Sequence, residues 1–475
     1  MHPAGTAPRR RLYYAMPRRP WTAWAAVSGL FLASPGVASA QIGSSLNRVG
    51  SGARAAGMGD AFIAVSDDGT AASWNPAGLA QLRQPEFSLV YVVSHRDVRT
   101  SGLRSPDGRF AYSNERFRFT NSSVDFASAA LPFSIARKPV TVQLGWQRLY
   151  QLGTQLVSNL ERQDLTTPSA PTATSRDDHL TGNIDVFSMA GSAKLTSRLA
   201  VGASFNLWHG AWTERVWVVE DPGPQASRSF FASEGRARLR GHNVAVGLLL
   251  TYPAWNVGLV YHSPFWTSYQ VGGESRSSGA PTQTVDIRGA RFRLPRSLGA
   301  GVARRLGPRW TAAAALTHDQ WTDALLDHFP GEEGPRNFFD EKPPEFSSTR
   351  DTLSFNVGLE HLVVREGSVV PLRLGVGFEP QGGMDTTTRD PVSYMLLSGG
   401  AGYNTNRFKF DAAVQYRWDA FQTSDLFSVN RLANGGPLPD AIGHASAHEW
   451  RLKVSLIYRM ADTEKLRGVL RRIFG

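Results

Sequence analysis

The feature that most constrains this 475-residue chain is an alternation of apolar with small or polar residues, which begins at Glu86 and continues almost to the end. In one segment Phe408, Phe410 and Trp418 share one face of an extended chain, and Lys409 lies on the opposite, more polar face. Because successive side chains of a β-strand point to opposite faces, a period of two predicts strands. The chain beyond residue 85 is therefore predicted to be a series of strands.

The alternation predicts fourteen strands separated by links of two kinds. The predicted strands cover residues 86–95, 122–134, 139–151, 182–195, 198–212, 236–251, 256–271, 283–306, 309–322, 351–364, 369–379, 393–404, 407–421 and 447–460. Short turns alternate with long polar loops, which are predicted at residues 96–121, 152–181, 213–235, 272–282, 323–350, 380–392 and 422–446. A soluble sandwich also alternates in sequence, but this parity of turns and loops is typical of a membrane barrel. We therefore predict an all-β fold, a transmembrane antiparallel β-barrel over residues 86–460.

Tryptophan and tyrosine residues lie near the ends of the predicted strands, for example Trp146, Trp208, Trp255, Trp310 and Trp450. Amphipathic rings of this kind settle at the headgroup level of a bilayer. They favour the membrane interpretation of the alternation. Small residues at the lumen positions leave room inside the barrel for a plug or a ligand.

The composition argues against several other classes of protein. The chain has no cysteine, which excludes a disulfide scaffold, a thiolate nucleophile and a cysteine-ligated metal. The formal net charge is +11, but no long block of Lys and Arg occurs outside the first forty residues, so we expect no nucleic-acid partner. No nucleophile elbow, phosphate loop or complete set of metal ligands is recognisable. We expect no enzymatic activity, no cofactor and no metal.

Residues 1–40 have the three parts of a secretory signal peptide. Arginines come first, an apolar stretch from Trp21 to Leu32 follows, and small residues precede Gln41. An exported chain of this length without cysteine fits the envelope of a double-membraned bacterium. We therefore predict a multi-pass barrel in the cell outer membrane.

Residues 41–85 lack the alternation and are rich in glycine and alanine. They contain the run SGARAAGMGDAF at residues 51–62, the run DDG at residues 67–69, and the tripeptide Asn75-Pro76-Ala77. This pattern resembles the amino-terminal signature of the FadL/OmpP1/TodX family of outer-membrane transporters, whose NPA motif the tripeptide matches. PorV-type barrels of a secretion system carry a similar signature.

The resemblance implies a fourteen-stranded barrel in which residues 41–85 form a hatch. It further implies passive uptake of long-chain fatty acids or other hydrophobic compounds, such as aromatic hydrocarbons. The substrate would be captured at outer loops, pass into the barrel and leave sideways through a kinked third strand. A PorV-like barrel would instead not transport, and would serve as a docking or assembly component for secreted proteins.

Two positions are candidates for the hatch and the gate. Gly145 is the only glycine of the predicted third strand, and a glycine permits a bend, although ordinary packing is the alternative. Asn75-Pro76-Ala77 is the candidate hinge of the hatch, or else a structural turn, because proline favours extended geometry in the residue before it.

Two further groups of residues are candidate ligand contacts. Apolar side chains in the predicted loop 213–235 form a landing patch for an acyl chain, and these are Trp217, Val219, Phe230 and Phe231. Arginines at predicted lumen positions are candidate partners for a carboxylate, and these are Arg373, Arg417 and Arg451. Because Glu360, Asp411 and Asp419 face the same lumen, the alternative is an ion-pair network that holds the hatch.

The last residues, 461–475, combine helical spacing of apolar residues with a basic face, which predicts an amphipathic periplasmic tail. As partners we expect hydrophobic small molecules and outer-membrane lipids. We also expect a monomer that the outer-membrane barrel insertion machinery assembles.

Overall fold

The computed structural model describes residues 47–105, 107–135, 137–167, 170–223, 227–328, 334–340, 342–384, 391–423 and 442–460. The predicted signal peptide, residues 41–46 of the predicted hatch and the predicted tail 461–475 lie outside the described residues. Most of the predicted link between the last two strands, residues 424–441, also lies outside them.

Within these residues, twenty strands form one antiparallel sheet. They are β1 (Glu86–Arg104), β2 (Phe110–Tyr112), β3 (Arg116–Ile135), β4 (Lys138–Gln151), β5 (Thr154–Asp164), β6 (Thr172–Lys194), β7 (Leu199–Asp221), β8 (Ser229–Thr251), β9 (Trp255–His262), β10 (Phe265–Ser277), β11 (Ala280–Leu294), β12 (Ser297–Arg305), β13 (Trp310–Asp319), β14 (Leu325–Asp327), β15 (Arg336–Asn337), β16 (Thr352–Arg365), β17 (Ser368–Met384), β18 (Pro391–Asn404), β19 (Phe408–Thr423) and β20 (Ile442–Arg459).

The sheet closes on itself into a barrel. β1 pairs with β3 on one side and with the last strand, β20, on the other, where Glu86 lies opposite Arg459. Three barrel strands are built from two pieces each, namely β4 with β5, β9 with β10, and β11 with β12. With these counted singly and the short β2, β14 and β15 left out, the wall has fourteen strands, and the predicted all-β barrel is confirmed.

The side chains of the wall alternate between its two faces, as a membrane barrel requires. On β8, Val244, Val246 and Leu248 are exposed, whereas Ala245 and Leu249 are buried towards the lumen. Comparable outward side chains on the other barrel strands complete an apolar belt, which we define by Leu89, Val124, Leu144, Phe205, Val246, Leu298, Leu316, Phe355, Leu374, Leu397, Val414 and Leu452. At the short-turn edge of the belt, Trp255 and Trp310 are exposed at the first positions of β9 and β13. The fold is therefore that of a transmembrane barrel.

The predicted long loops are largely wrong, because the strands continue beyond the belt. β7 and β8 remain paired up to Glu220 and Ser229, and β10 and β11 up to Ser277 and Ala280. Above the belt the outer face is wetted, so polar side chains replace apolar ones without ending the backbone ladder. The loss of apolar alternation therefore marks the edge of the belt and not the end of the strand.

In the part of the chain that the structure describes, short helical pieces occur only before β1 and in the link between β13 and β16. The α-helix α1 spans Ala53–Gly57, and 3₁₀ turns cover Ala71–Ser73, Pro76–Gln81, Trp321–Asp323 and Pro344–Phe346. Among the described residues, no helix is long and apolar enough to cross a membrane.

Candidate functional site

The segment of residues 47–85 lies against the inner face of the wall. Lumen-facing polar side chains from strands all round the barrel donate hydrogen bonds to its backbone carbonyls, and they include Gln143, Asn256, Asn356, Ser398 and Gln415. Two inward glycines allow close approach, because a Cβ at Gly247 would collide with Asn75 and one at Gly375 with Gly59. The segment therefore fills part of the lumen.

Asn75 caps a 3₁₀ turn and ties it to the wall. Its Oδ1 accepts a hydrogen bond from the Ala77 backbone N–H at 3.1 Å, and Pro76 occupies the first position of the turn. Its Nδ2 donates to the carbonyls of Ile63 and Leu248, each at 3.1 Å, so one buried side chain joins two parts of the segment to β8. The predicted hinge tripeptide thus has a clear structural role, whereas a movement about it stays a prediction.

One predicted carboxylate partner, Arg373, is already neutralised. Its Nε lies 2.7 Å from Glu360 Oε2 and its Nη1 lies 2.6 Å from Asp411 Oδ1. Glu360 also receives two hydrogen bonds from Arg54 of α1, both at 3.0 Å, and Arg54 reaches back to Asp67. Burial lowers the pKa of Arg54, but the carboxylates of Asp67 and Glu360 outweigh burial and raise the pKa well above its ordinary value. This network links the segment to the wall.

The other two predicted partners share a second network. Arg417 is fully buried between Glu379 at 2.7 Å and Glu449 at 3.1 Å, and its guanidinium stacks 4.7 Å from the ring centre of Tyr394. Arg451 Nε lies 2.6 Å from Glu449 Oε1. A cation that already has carboxylate partners has little to gain from a ligand carboxylate. The arrangement matches the ion-pair alternative for all three arginines.

The predicted landing patch is divided between the two faces of the wall. Trp217 and Val219 lie on β7, and Phe230 and Phe231 lie on β8, so none of them is in a loop. Trp217 and Phe230 are exposed and stack with ring centres 5.6 Å apart, whereas Phe231 is buried with Val216 and other inward residues. Trp217, Val219 and Phe230 therefore lie on the outer face, well above the apolar belt.

A larger apolar surface lies inside the barrel and was not predicted. We call it the lumen cluster, and its buried members are Tyr150, Leu152, Leu180, Val186, Trp208, Ala237, Leu239, Phe265, Tyr269, Val271, Ile287, Ala290, Leu294 and Leu326. Trp208 and Phe265 pack with ring centres 5.1 Å apart, and Phe338 from the link after β13 packs against the cluster. The cluster offers an aromatic and aliphatic surface of the kind that binds apolar ligands.

Arg48 stands at the edge of the lumen cluster. Its guanidinium lies 5.7 Å from the ring centre of Trp208 and 5.9 Å from that of Phe265, and its Nη2 donates to the carbonyl of Pro295. Its Nη1 is buried and has no hydrogen-bond partner among the described residues. Burial lowers the pKa of Arg48, although Tyr150 and Asp319 partly offset this. Arg48 is thus a desolvated cation with an unused donor beside an apolar surface.

The barrel wall has a gap beside the lumen cluster. β3 and β4 pair only as far as Phe126 and Gln147. The barrel strand that β4 and β5 form together is interrupted at residues 152–153. Higher up, Ser113 N–H donates to the Glu161 carbonyl at 2.9 Å and β2 pairs with β5, so the wall is joined again. We call the region between these limits the wall slot.

A pocket of about 560 Å³ occupies the wall slot. Side chains from both faces line it, including the buried Phe117 and Leu180 and the exposed Arg118 and Thr120. Leu180 also belongs to the lumen cluster, and the lower end of the slot lies beside the belt residue Val124. The slot therefore lies between Leu180 of the lumen cluster and the outer face of the barrel, near the upper edge of the belt.

Gly145 does not lie at this interruption. It is within β4, opposite Ser128 of β3 and Ser188 of β6, in an uninterrupted part of both pairings. The glycine at the break is Gly153, where an added Cβ would lie 3.0 Å from Asn121 Oδ1. The third barrel strand extends beyond the predicted end at residue 151 and is interrupted at residues 152–153, whereas a gate at Gly145 stays a prediction.

Several solved structures are similar to this barrel over most of its length. The P. putida toluene transporter TodX matches with a TM-score of 0.57 at 14% identity, over 88% of this chain and 100% of TodX. A Pseudomonas aeruginosa FadL homologue matches with a TM-score of 0.54 at 15% identity, over 85% of this chain and 97% of that one. The Ralstonia pickettii toluene transporter TbuX matches with a TM-score of 0.52 at 14% identity, over 87% of this chain and 99% of TbuX. The chain has the FadL fold. No family model and no curated protein sequence matches it.

Within this FadL fold, sequence reasoning missed Arg48 and the break at residues 152–153. Arg48 precedes the recognised signature and stands alone in sequence, so no periodicity marks it. The break carried a signal, since Gly153 comes two residues after the end of the predicted strand at Gln151. That glycine was assigned to a loop because the strand was ended too early.

Proposed function

We propose that this protein mediates passive uptake of hydrophobic compounds across the outer membrane. The observation that carries the proposal is the apolar lumen cluster, which adjoins the wall slot through Leu152 and Leu180. The toluene transporters TodX and TbuX share the fold, which supports a hydrophobic substrate. A barrel that only docked secreted proteins would have no need of an apolar interior beside an opening in its wall.

In the proposed route the substrate enters from the extended end of the barrel and binds at the lumen cluster. It then leaves through the wall slot into the lipid beside Val124, so it never crosses the polar interior that residues 47–85 fill. Lateral release avoids transferring an apolar molecule into water, which costs roughly 0.8 kcal/mol per exposed methylene group.

The substrate class we propose is a long-chain fatty acid. Its acyl chain would pack on Trp208 and Phe265, and its carboxylate would accept a hydrogen bond from the unpartnered Nη1 of Arg48. Charge-assisted bonds of this type in a site shielded from water bind carboxylates well. Aromatic hydrocarbons could use the same apolar surface but would leave Arg48 unpaired.

The experiment that tests the route is a disulfide across the wall slot. The native chain has no cysteine, so an Asn121→Cys/Gly153→Cys pair has no competing thiols. These positions are close, because a Cβ at Gly153 would lie 3.0 Å from Asn121 Oδ1. In cells that lack their own uptake protein, we expect oxidation to reduce uptake of a labelled fatty acid to background and a reductant to restore it.

The matched control is a Ser128→Cys/Gly145→Cys pair in the hydrogen-bonded part of the same two strands. A Cβ at Gly145 would lie 3.8 Å from Ser128 Cβ, which suits a disulfide. We expect this second disulfide to leave uptake unchanged, because those strands are already paired. Uptake that survives oxidation of the slot pair, or is lost equally in the control, would contradict release through the slot.

A further inference from the structure

Three arginines form a positively charged patch on the outer face of the barrel. We define the arginine patch as Arg238 and Arg240 of β8 and Arg291 of β11. All three are exposed, while their neighbours Ala237, Leu239 and Ala290 are buried in the lumen cluster. Their side chains therefore point away from the barrel, towards whatever surrounds it.

The sheet register brings the three arginines together. Arg240 of β8 and Arg291 of β11 both lie opposite Ser268 of β10, one on each side. Since neighbouring strands are about 4.8 Å apart, Arg240 and Arg291 are separated by about 10 Å across the sheet. Arg238 lies two residues along the strand from Arg240, a rise of about 7 Å. The arginines of β8 form one cationic edge and Arg291 of β11 forms the other. The exposed hydroxyl group of Ser268 lies between these two edges.

The arginines around the arginine patch differ from it because carboxylates neutralise them. Higher on the same face, Arg215 lies 3.1 Å and Arg236 lies 3.4 Å from the carboxylate of Glu234, and Arg288 lies 2.9 Å from Asp286. On β1 and β3, three further outward arginines surround Asp97, and they are Arg99, Arg116 and Arg118.

By contrast, Arg238, Arg240 and Arg291 form no ion pair within the part of the chain that the structure describes. Arg291 is held in position because its guanidinium stacks on Trp266, 4.9 Å from the ring centre. The patch therefore presents uncompensated positive charge from a partly fixed surface.

The position of the arginine patch relative to the apolar belt indicates which part of the membrane it faces. On β8 the outward residues run from Leu250 through Val244 of the apolar belt to His242 and then Arg240. Arg240 is therefore the second outward residue above the belt, and Trp266 lies beside the patch on β10. This is the headgroup level of a bilayer, where interfacial aromatic rings also lie. A soluble macromolecule would have to displace lipid to reach it.

We infer that the arginine patch binds the phosphate groups of a membrane lipid headgroup on the extended side of the barrel. Arginine forms paired hydrogen bonds with phosphate oxygens, and clusters of basic residues at this level bind anionic headgroups. The two cationic edges, about 10 Å apart, suit a headgroup that carries more than one phosphate. The inference rests on the proposed outer-membrane location but does not depend on transport.

The test is binding of lipid A, a glycolipid with two phosphate groups, to the purified full-length mature protein in neutral detergent, measured by native mass spectrometry. We expect one lipid A molecule to bind in preference to phosphatidylcholine. Arg238→Gln/Arg240→Gln/Arg291→Gln should weaken this binding by about tenfold or more, since each arginine contributes to headgroup affinity. The corresponding triple lysine variant should retain more affinity than the glutamine variant.

The matched control is Arg99→Gln/Arg116→Gln/Arg118→Gln, which removes the same charge from the opposite side of the outer face. We expect it to bind lipid A as the native protein does. Equal weakening in the two glutamine variants would overturn the inference, because it would indicate attraction by net charge alone. Displacement of lipid A by an equal concentration of inorganic phosphate would also overturn it, because the site would then be a simple anion site.

Fatty-acid binding is measured on the same samples. A patch variant that loses lipid A but binds fatty acid supports the inference, and a native protein that binds lipid A but no fatty acid supports it while contradicting the proposed function. A shift in gel mobility between heated and unheated samples verifies that each variant forms a barrel. If the glutamine variant does not fold, the lysine variant is compared with the native protein instead.

Discussion

At the scale of single residues, charge compensation decides which lumen cations are available to a ligand. Arg373 and Arg417 each contact two carboxylates. Removal of either arginine would leave these buried carboxylates without a partner and destabilise the folded protein by roughly 3–5 kcal/mol. Arg48 donates to a backbone carbonyl and lies against two aromatic rings, and it forms no salt bridge within the described residues. A ligand carboxylate would therefore be stabilised most at Arg48.

We predict that Arg48→Met weakens fatty-acid binding by about tenfold, because a charge-assisted hydrogen bond contributes about 1.5–3 kcal/mol. Binding of toluene, which has no charge, should change less than about twofold, since methionine retains most of the apolar contact. Quenching of tryptophan fluorescence in detergent measures both, because Trp208 borders the site. Arg48→Lys is the control that retains the charge. Equal loss for both ligands would mean that Arg48 acts by packing alone.

The lumen position of the predicted arginines could be read from the alternation, but their partners could not. Glu360 and Arg373 meet because the pairing sets them opposite each other on β16 and β17, and Arg373 reaches Asp411 of β19 across the intervening β18. Arg54 joins them from a different part of the chain. Such contacts depend on register and on how residues 47–85 fill the lumen, and neither is encoded as a local pattern.

At the scale of elements, residues 47–85 depend on buried carboxylates for their attachment. Asp68 accepts hydrogen bonds from the backbone and hydroxyl of Thr70, at 2.9 and 2.6 Å. Burial raises the pKa of Asp68, but Lys409, Arg54 and these hydrogen bonds outweigh burial and lower the pKa below its ordinary 3.8. Ionised Asp68 therefore stabilises the docked segment above pH 3.8, and this contribution is lost as the pH falls through the lowered value.

We predict that amides of residues 53–62 are more protected from hydrogen exchange in the native protein than in Asp68→Asn at pH 6. The difference should begin to decline below pH 3.8 and vanish once the pH is below the lowered pKa of Asp68. Burial raises the pKa of Asp60, so its protonation favours the docked segment in both proteins and does not produce the difference. A difference that persists in acid would assign the effect to the shape of the side chain and not to its charge.

The strands were predictable where a bilayer imposes a two-residue pattern and not where water replaces it. All fourteen barrel strands were located, and short turns such as that between β13 and the preceding β12 were correct, because apolar residues must face lipid there. The upper strand extensions and the interruptions at Pro264, Pro295 and Gly153 were missed. Outside the belt many side chains are compatible with a ladder, so composition no longer marks its end.

At the scale of the whole molecule, the wall and the lumen segment are separable structures. Each barrel strand pairs with a neighbouring strand on either side over at least part of its length, and β1 with β20 closes the ring without help from residues 47–85. A wall of fourteen strands is wide enough to leave a water-filled channel if nothing occupies it. The polar lumen side chains that now bond to the segment would then bond to water.

We predict that deletion of residues 47–85 leaves a barrel that folds but conducts ions. In a planar bilayer its conductance should exceed that of the complete protein by about an order of magnitude, because the deletion opens the lumen. Arg54→Met, which removes the ion pairs with Glu360 and Asp67 but keeps the segment, should give brief openings and not a permanent channel. The deletion also removes Arg48 and should therefore weaken fatty-acid uptake, whereas Arg54→Met keeps Arg48, the lumen cluster and the wall slot and should leave uptake unchanged. A deleted barrel that stays closed to ions would show that the wall alone seals the lumen.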